Sequence, residues 1–460
     1  MNLDEIKEHE HSPIWNTKAS DMLDEEMLDQ VNDYDLDLEE YTKDLDSRNK
    51  YLKENIPRLL EYAKRHIAYI KESDTSKLNE LTDFPTTDRS ILAAKPWKLI
   101  PDDLDYSDLI VYNTAGTTGE PVSVPQHPIS VAAYCTLIKR ALSFWDIYPD
   151  FSPEKIGIAL IGFQKNTVTF PCILKSLNET LFIKINLNET DWREKNDGYR
   201  FLSDVKPEVL TGDPLSFSKL AHIGEQIDYP QIRPKALITT AVALTDGVRK
   251  RLEKAFEAPV IDWYSLTETG PIGYKCKEGT GYHILSYDIE IEILDKNGKV
   301  CKPGDIGEIT VTGGRNPYFP LIRYRTGDWG RLGLEKCPCG DPMPLILDLE
   351  GREPVQFATT NKNFINNADI TAVLKPFPIL QFTFHQDSKG NCELRVKLAS
   401  GVTQPSIEDL KEVITLLSQN RIQSNLIVSK KVKLENAIDE GFHELLQPNK
   451  KVAKVLVEIS

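Results

Sequence analysis

Asn113 to Val122 reads NTAGTTGEPV, and its residue types suit the handling of phosphate. Thr114, Thr117 and Thr118 are interleaved with Ala115, Gly116 and Gly119. Small residues leave successive backbone N–H groups exposed, and Gly116 and Gly119 can take positive φ without a Cβ penalty. Such a turn makes a concave anion site, to which threonine hydroxyls add donors. The chemistry it suits is polyphosphate binding; an ordinary Gly/Thr surface turn is the plainer alternative. No Gly-Lys-Ser/Thr follows, so this is not a Walker A loop, and a kinase or GTPase of that type is contradicted.

Two further motifs follow in order, Tyr264-Ser-Leu-Thr-Glu-Thr-Gly270 and Tyr324-Arg-Thr-Gly-Asp328. With the loop they resemble the adenylate-forming superfamily of acyl-CoA synthetases, peptide-synthetase adenylation domains and luciferases. Within it the chain is most similar to phenylacetate–coenzyme A ligases, from about residue 55 to the C-terminus. The resemblance implies ATP- and Mg²⁺-dependent activation of a small carboxylic acid, aryl or arylacetic, as its acyl-adenylate. Transfer to coenzyme A would follow.

The same resemblance assigns roles. Thr114, Gly116, Thr117, Thr118 and Gly119 would cradle the β- and γ-phosphates. Thr267 would contact the α-phosphate and Glu268 would bind Mg²⁺. Tyr264 would pack on the adenine, with Thr240 and Ala241 in an adenine-contacting segment. Asp328 would accept hydrogen bonds from both ribose hydroxyls, for which a two-oxygen carboxylate is suited. Arg352 would touch ribose or phosphate, and Lys451, from the tail, would reach the α-phosphate. Plainer readings are a helix N-terminus for Thr267-Glu268, salt bridges for Arg323 and Arg325, and a solvated basic patch for Lys451.

Departures from the pattern bear on triphosphate binding, through Glu120, and on the second half-reaction, through the small domain. Glu120 stands where the relatives carry lysine, Asn361 where they carry glycine, and Pro354 and Val355 where acidic residues are usual. They leave open an amine, a hydroxyl or a carrier-protein thiol as acceptor, or a nucleotide-binding protein without turnover.

A second constellation has the residue types of a metal centre. Cys276 and His283 follow the glutamate motif, and Cys337-Pro-Cys339-Gly lies on a tight loop. One histidine and three cysteines make a closed tetrahedral set, the pattern of structural zinc without an open position for a substrate water. Some of the resembled ligases are similar here. Cys135, Cys172, Cys301 and Cys392 read as buried thiols.

The remaining composition bounds the class. At 460 residues, 40% of them hydrophobic, the chain suits a soluble protein of more than one domain. The net charge is −15, concentrated in the first fifty residues, and no basic stripe indicates nucleic acid. No apolar run approaches ~18 residues and the N-terminus lacks an apolar h-region, so a cytoplasmic location, away from the membrane, is expected. A homodimer is left open.

The elements needed to position these groups are legible as patterns. Residues 1–20 show no periodicity and read as loose. Helical spacing begins at Met22 and resumes at Leu52, with Pro57 near the start of a second helix. A helix is expected to start at the Thr or Asp of Phe84–Ser90, and another over Ile129–Trp145. Strands at Ile156–Phe163, Leu181–Leu187, Val209–Thr211, Ala236–Thr240 and Pro259–Trp263 alternate with helices, as in parallel α/β architecture. Ile289–Leu294 alternates as an antiparallel strand, Asp295–Gly298 turns, and Ile306–Val311 follows. The expected fold is α/β: a large adenylation domain over 1–350, with parallel and mixed sheets, a β-rich part and a helical, acidic lead-in over 1–95. A small mobile α+β domain over 351–460 would follow, with strands at Ile379–His385 and Cys392–Leu398 and a helix at Ser406–Leu417.

Overall fold

The structure, a computed structural model, describes residues 1–18, 22–113, 122–279, 281–333, 335–351, 356–358, 364–366, 370–371, 374–386, 392–402, 430–433 and 455–458. The chain forms two compact units. The larger comprises Met1–Val242 and Leu252–Glu353, the smaller Ala243–Arg251 and Pro354–Ser460.

The helices are α1 (Leu3–Glu8), α2 (Glu25–Thr42), α3 (Leu45–His66), α4 (Ala68–Lys71), α5 (Arg89–Ala94), α6 (Pro128–Ser143), α7 (Asp197–Val205), α8 (Pro214–Gln226) and α9 (Asp246–Phe256). None among the described residues is long and apolar enough to cross a membrane. The strands of the larger unit are β1 (Thr87–Asp88), β2 (Ile110–Asn113), β3 (Ser123–Gln126), β4 (Ile156–Gly162), β5 (Phe170–Leu174), β6 (Thr180–Asn186), β7 (Val209–Gly212) and β8 (Ala236–Thr239). They continue with β9 (Val260–Leu266), β10 (Gly270–Lys275), β11 (Tyr282–Ile284), β12 (Ile289–Leu294), β13 (Gly307–Gly313), β14 (Leu321–Leu332) and β15 (Leu345–Glu350).

Except for the β2–β3 hairpin, these strands make one sheet in the order β12-β13-β14-β15-β11-β10-β9-β8-β7-β4-β6-β5, with β1 beside β14. Neighbours from β6 through β4, β7 and β8 to β9 run parallel. From β9 onward the ladder is antiparallel. The expected α/β fold with a β-rich part is therefore one mixed sheet. Its central parallel strands are apolar runs, such as the fully buried β8, because helices cover both faces of such strands. β12 alternates in sequence and pairs in register with β13 from Ile289↔Gly313 to Leu294↔Glu308.

Two local expectations need correction. Residues 1–18 are not loose. Asn2 and Glu5 form a capping box on α1, Ile6 is fully buried, and Ile14 and Thr17 donate backbone hydrogen bonds to Asp191 and Thr169. A six-residue helix is too short to show a period, and these hydrogen bonds reach across the chain. Pro57 lies inside α3 instead of near a helix start. An interior proline costs about 3 kcal/mol, which burial of Leu52 and Leu60 on either side offsets. Asp44 caps α3 by accepting from the Ser47 N–H at 2.7 Å. Tyr34 and Tyr41 of α2 and Tyr51 of α3 gather on Tyr287, with ring centroids 4.6–5.4 Å from it. The acidic lead-in is thus a scaffold laid on the sheet.

In the smaller unit, β18 (Ile379–Gln386) pairs antiparallel with β19 (Cys392–Leu398). The short strands β16 (Gln356–Ala358) and β17 (Phe364–Asn366) pair antiparallel, and β20 (Lys430–Lys433) and β21 (Val455–Glu458) pair parallel. Ile370, Leu374, Phe377 and Ile379 form its apolar cluster. Thr245 donates to the Ile379 carbonyl at 2.9 Å, and Gly247 lies against Phe377, where a Cβ would come within 2.2 Å of backbone. The helix expected at Ser406–Leu417 lies outside the described residues.

Arg323 ties the β-rich half together. It is buried and forks onto Glu292 at 3.0 and 3.1 Å, while Nη1 donates to the carbonyls of Thr82 and Phe84. Truncating one partner leaves the other charge buried without compensation, at a cost of about 3–5 kcal/mol. Arg323→Ala is expected to lower the unfolding free energy by about that amount in urea titration. A loss below about 1 kcal/mol would be that of an exposed pair instead.

Candidate active site

In open sheets of this kind ligands bind outside the carboxyl ends of the parallel strands. Five such ends lie side by side here: Asn186 of β6, Gly162 of β4, Gly212 of β7, Thr239 of β8 and Leu266 of β9. The Thr240 N–H donates to the Gly212 carbonyl at 3.0 Å, and the Thr240 and Ser265 hydroxyls share a hydrogen bond of 2.9 Å. Ala241 follows, exposed and at φ 70°, a left-handed conformation costly for a residue with a Cβ. Sequence reading singled out Thr240 and Ala241; Ser265 was only a filler of its motif.

Thr267, Glu268 and Thr269 form the turn from β9 to β10, where parallel pairing gives way to antiparallel. The turn closes on Gly270 at φ 67°, where an added Cβ would lie 2.7 Å from the Tyr134 hydroxyl, so both conformation and space call for glycine. Gln126, at the end of β3, donates from Nε2 to the Thr267 carbonyl at 3.0 Å. This fixes the Thr267 backbone and leaves its half-buried hydroxyl outside the bond.

Glu268 is buried, 6% exposed, and is ion-paired with Arg89 Nη1. Arg89 opens α5, whose cap is Asp88, accepting from the Ile91 N–H at 3.0 Å. β1 just before it runs parallel to β14, pairing Thr87 with Tyr324 and Asp88 with Arg325. Sequence reading placed the helix start here but gave Arg89 no role. The two partners are 179 residues apart, and no local pattern announces such a pair. One buried carboxylate fits Mg²⁺, which takes one or two protein carboxylates and completes its shell with phosphate oxygens and water.

Asp328 lies on β14 at a bulge. Between the Glu308↔Trp329 and Thr310↔Arg325 pairs, Ile309 alone faces Thr326, Gly327 and Asp328. Such bulges re-aim a side chain. Gly327 sits at φ 80°, its N–H donates to Glu308 at 3.1 Å, and Thr326 donates to the Ile309 carbonyl at 2.8 Å. Arg325 is ion-paired with Glu308, and Arg323 with Glu292, so both arginines are the salt-bridge formers expected of them. The Tyr264 hydroxyl donates to Asp328 Oδ2 at 2.9 Å. Tyr264 is itself only 7% exposed, its ring packed in the core. One oxygen of Asp328 is therefore engaged by the very tyrosine expected on the adenine.

Burial pushes the Asp328 carboxyl up from 3.8 to about 6, opposed by the Tyr264 hydrogen bond and reinforced by the negative charge of Glu268. Thr114, Gly116, Thr117, Thr118, Gly119, Glu120, Arg352, Asn361 and Lys451 lie outside the described residues.

The second constellation comes together. Cys276 follows β10, His283 is on β11, and Cys337 and Cys339 lie between β14 and β15; their ligand atoms are all within 4.8 Å of one another. His283 is fully buried, with Nδ1 3.0 Å from the Met343 carbonyl and Nε2 3.2 Å from Cys339 Sγ. Donation from Nδ1–H to a carbonyl is the arrangement that leaves Nε2 as a lone-pair donor. Cys276 and Cys337 sulfurs are 3.6 Å apart. Asp341 supports the loop: it accepts from Arg140 at 2.8 and 3.0 Å, from Tyr274 at 2.7 Å and from the Met343 N–H at 3.0 Å. Three sulfurs and one imidazole, closed and braced, fit zinc. Sequence reading found the four clustered side chains and missed Asp341, Arg140 and Tyr274. Cys135, Cys172 and Cys301 are half-buried thiols, less enclosed than expected.

No family model matches the chain. Protein CapK of Staphylococcus aureus is 24% identical over 284 residues, 60% of this chain and 59% of its own. Phenylacetate-coenzyme A ligase of Thermus thermophilus is 28% identical over 239 residues, 50% of this chain and 51% of its own. The chain thus spans between half and three fifths of the length of these curated relatives. A 2-hydroxyisobutyryl-CoA ligase, solved in the postadenylation state with an acyl-AMP, superposes with a TM-score of 0.65 at 16% identity over 91% of both chains. At that identity the likeness is one of fold.

Two outcomes at Asp328 are expected. Its folded value is raised, so the stability it contributes is full below 3.8 and lost as pH rises through about 6. Tyr264→Phe removes the hydrogen bond that favours the charged form and should move the Asp328 titration midpoint, followed by carboxyl ¹³C NMR, above about 6. A midpoint at or below that of the unmodified protein would count against the arrangement.

Proposed function

We propose that this chain, which has the fold of the adenylate-forming enzymes and resembles phenylacetate–coenzyme A ligases over half its length, activates a carboxylic acid with ATP and transfers it to coenzyme A. The observation that carries the reading is the convergence of Thr267, Glu268, Thr240 and Asp328 around the carboxyl ends of adjacent strands. The comparisons support an acid–thiol ligase type. The acid, aryl or arylacetic, is our inference.

In the first half-reaction a carboxylate oxygen of the acid bonds to the α-phosphorus, and the α–β bridging P–O bond breaks to release pyrophosphate. In the second, the coenzyme A sulfur bonds to the acyl carbon, AMP leaves, and the thiol proton is released to solvent. Catalysis of such transfers is mostly positioning and charge neutralisation. Thr267 would donate to the α-phosphate, its backbone already held by Gln126. Asp328 would hold the ribose through the oxygen that Tyr264 does not use, and Tyr264 would thereby set the carboxylate's orientation. Glu268 would carry Mg²⁺, which when bound neutralises phosphate charge. Thr114, Gly116, Thr117, Thr118 and Gly119 remain the proposed phosphate cradle, and Arg352 and Lys451 the proposed contributions of the small domain. The tetrad Cys276, His283, Cys337 and Cys339 would hold structural zinc, at the far end of the strand that begins at the catalytic turn. Among the described residues no two cysteines are joined in a disulfide, which suits a cytoplasmic enzyme.

Acid-dependent ATP–pyrophosphate exchange over a panel of aryl and alkyl acids tests the reading, with AMP release followed as coenzyme A is added. Exchange with coenzyme A-stimulated AMP release is expected. Exchange without stimulation would keep adenylation and assign the acyl group to an amine, hydroxyl or carrier-protein thiol. ATP binding without exchange for any acid would leave a nucleotide-binding protein. Glu268→Gln should cut exchange by a factor of about 100 or more, as removal of one electrostatic partner of the transition state does, with the fold intact by circular dichroism. Protein purified without chelator should contain about one equivalent of zinc; less than about half would sink the metal assignment.

A further inference from the structure

We infer that Arg89 is the cation that binds the β- and γ-phosphates of ATP, and that it is parked on Glu268 until Mg²⁺ takes that carboxylate. The inference rests on the adenylation reading above and deepens it.

The first observation is a deficit of charge. From residue 99 to residue 138 the sequence has no lysine or arginine, while Asp102, Asp103, Asp105, Asp108 and Glu120 all fall within it. This is the segment that contains the threonine- and glycine-rich loop. A triphosphate brings about four negative charges, and hydroxyl and amide donors alone leave them uncompensated. A cation from another part of the chain has to serve.

The second observation identifies that cation. Arg89 is 41% exposed, although the carboxylate it pairs with is 6% exposed. Arg89 thus meets Glu268 through a side chain that presents part of its surface to solvent. Its backbone is not free to wander. Thr87, two residues earlier, donates to the Ile322 carbonyl at 3.0 Å, and β1 is in register with β14, the strand that carries Asp328. Arg89 therefore stands on the same scaffold as the proposed ribose site, with only its side chain left to move.

The third step is electrostatic. A buried carboxylate cannot be left uncompensated without a cost of several kcal/mol, so Glu268 needs a cation at every stage. Before nucleotide arrives, Arg89 supplies it. Mg²⁺ and a guanidinium on the same carboxylate repel each other, so entry of the metal frees the guanidinium. Its planar fork of donors matches phosphate oxygens, and the polyphosphate that accompanies the metal is the acceptor at hand. The exchange conserves charge: Glu268 passes from one cation to the other, and the displaced cation goes to the anion.

The test is calorimetric and needs no turnover. Full-length protein and Arg89→Ala are titrated with Mg²⁺ alone, with a non-hydrolysable ATP analogue plus Mg²⁺, and with AMP. Arg89→Ala should weaken the ATP analogue by about 10–100-fold, the worth of a charge-assisted hydrogen bond. AMP, which lacks the outer phosphates, should bind as before, and Mg²⁺ alone should bind tighter. Arg89→Lys should recover part of the analogue affinity; it also serves as the reading should Arg89→Ala fail to fold. Equal weakening of analogue and AMP, or no change in either, would overturn the inference and make the pair a structural salt bridge. Unmodified protein that binds neither nucleotide would overturn the adenylation reading and this inference with it. Unmodified protein that binds both, alongside an Arg89→Ala variant that also does so normally, would overturn this inference alone.

Discussion

Two carboxylates withdrawn from water, Glu268 on one turn and Asp328 on a bulge, set the terms for the rest of the larger unit. Each needs a partner, because an isolated charge in such surroundings costs several kcal/mol. Glu268 has Arg89, and Asp328 has the Tyr264 hydroxyl. They also act on each other: after burial, the charge of Glu268 is among the causes that push Asp328 up to about 6. A neutral donor on one carboxylate and a cation on the other is the arrangement that keeps the pair from repelling too strongly. It also leaves Asp328 with the oxygen that Tyr264 does not use. The fold supplies this by ending the parallel run of strands at β9 and turning directly into the antiparallel half. One sheet thereby brings a strand end, a tight turn and a bulge to the same place.

The opposite end of β10 is secured by different means. Glu268 precedes this six-residue strand and Cys276 follows it, so about 20 Å of extended chain separates the turn from the sulfur cluster. The cluster's bracing is not local. Arg140 of α6 reaches Asp341 in the cysteine loop and also donates to Thr42 of α2 at 3.1 Å. The acidic lead-in, the helix after the threonine-rich loop and the cysteine loop are thus bound by a single guanidinium. Because Arg140 and Asp341 are both buried, that contact is screened little by salt.

Sequence carried the motifs, their order, and the alternation of strands and helices, since each of these has a local period or a recognisable residue type. Ile289–Leu294 announces a strand by alternation, and the cysteines and histidine of the sulfur cluster announce themselves by chemistry. What escaped was set by contacts between distant residues. Arg89 is an ordinary first-turn arginine until Glu268 arrives beside it. The order of residues 1–18 comes from hydrogen bonds to Thr169 and Asp191, which no periodicity encodes. Pro57 reads as a helix start by propensity, and packing on both sides overrides it. The bulge that aims Asp328 depends on Glu308 and Ile309 of the neighbouring strand, and the motif itself shows only a glycine.

The hydrogen bonds between the first residues and Thr169 have a consequence beyond local order. β5, which starts at Phe170, is among the described residues the last strand on its side of the sheet and pairs there with β6 alone. An unpaired strand edge is a template on which another chain can add. Asn16 and Thr17 occupy the backbone and side chain of Thr169 at the mouth of that edge, and Asn16 also takes the Thr167 carbonyl. The opening eighteen residues therefore work as a selvedge, closing the mouth of an edge on which another chain could otherwise add.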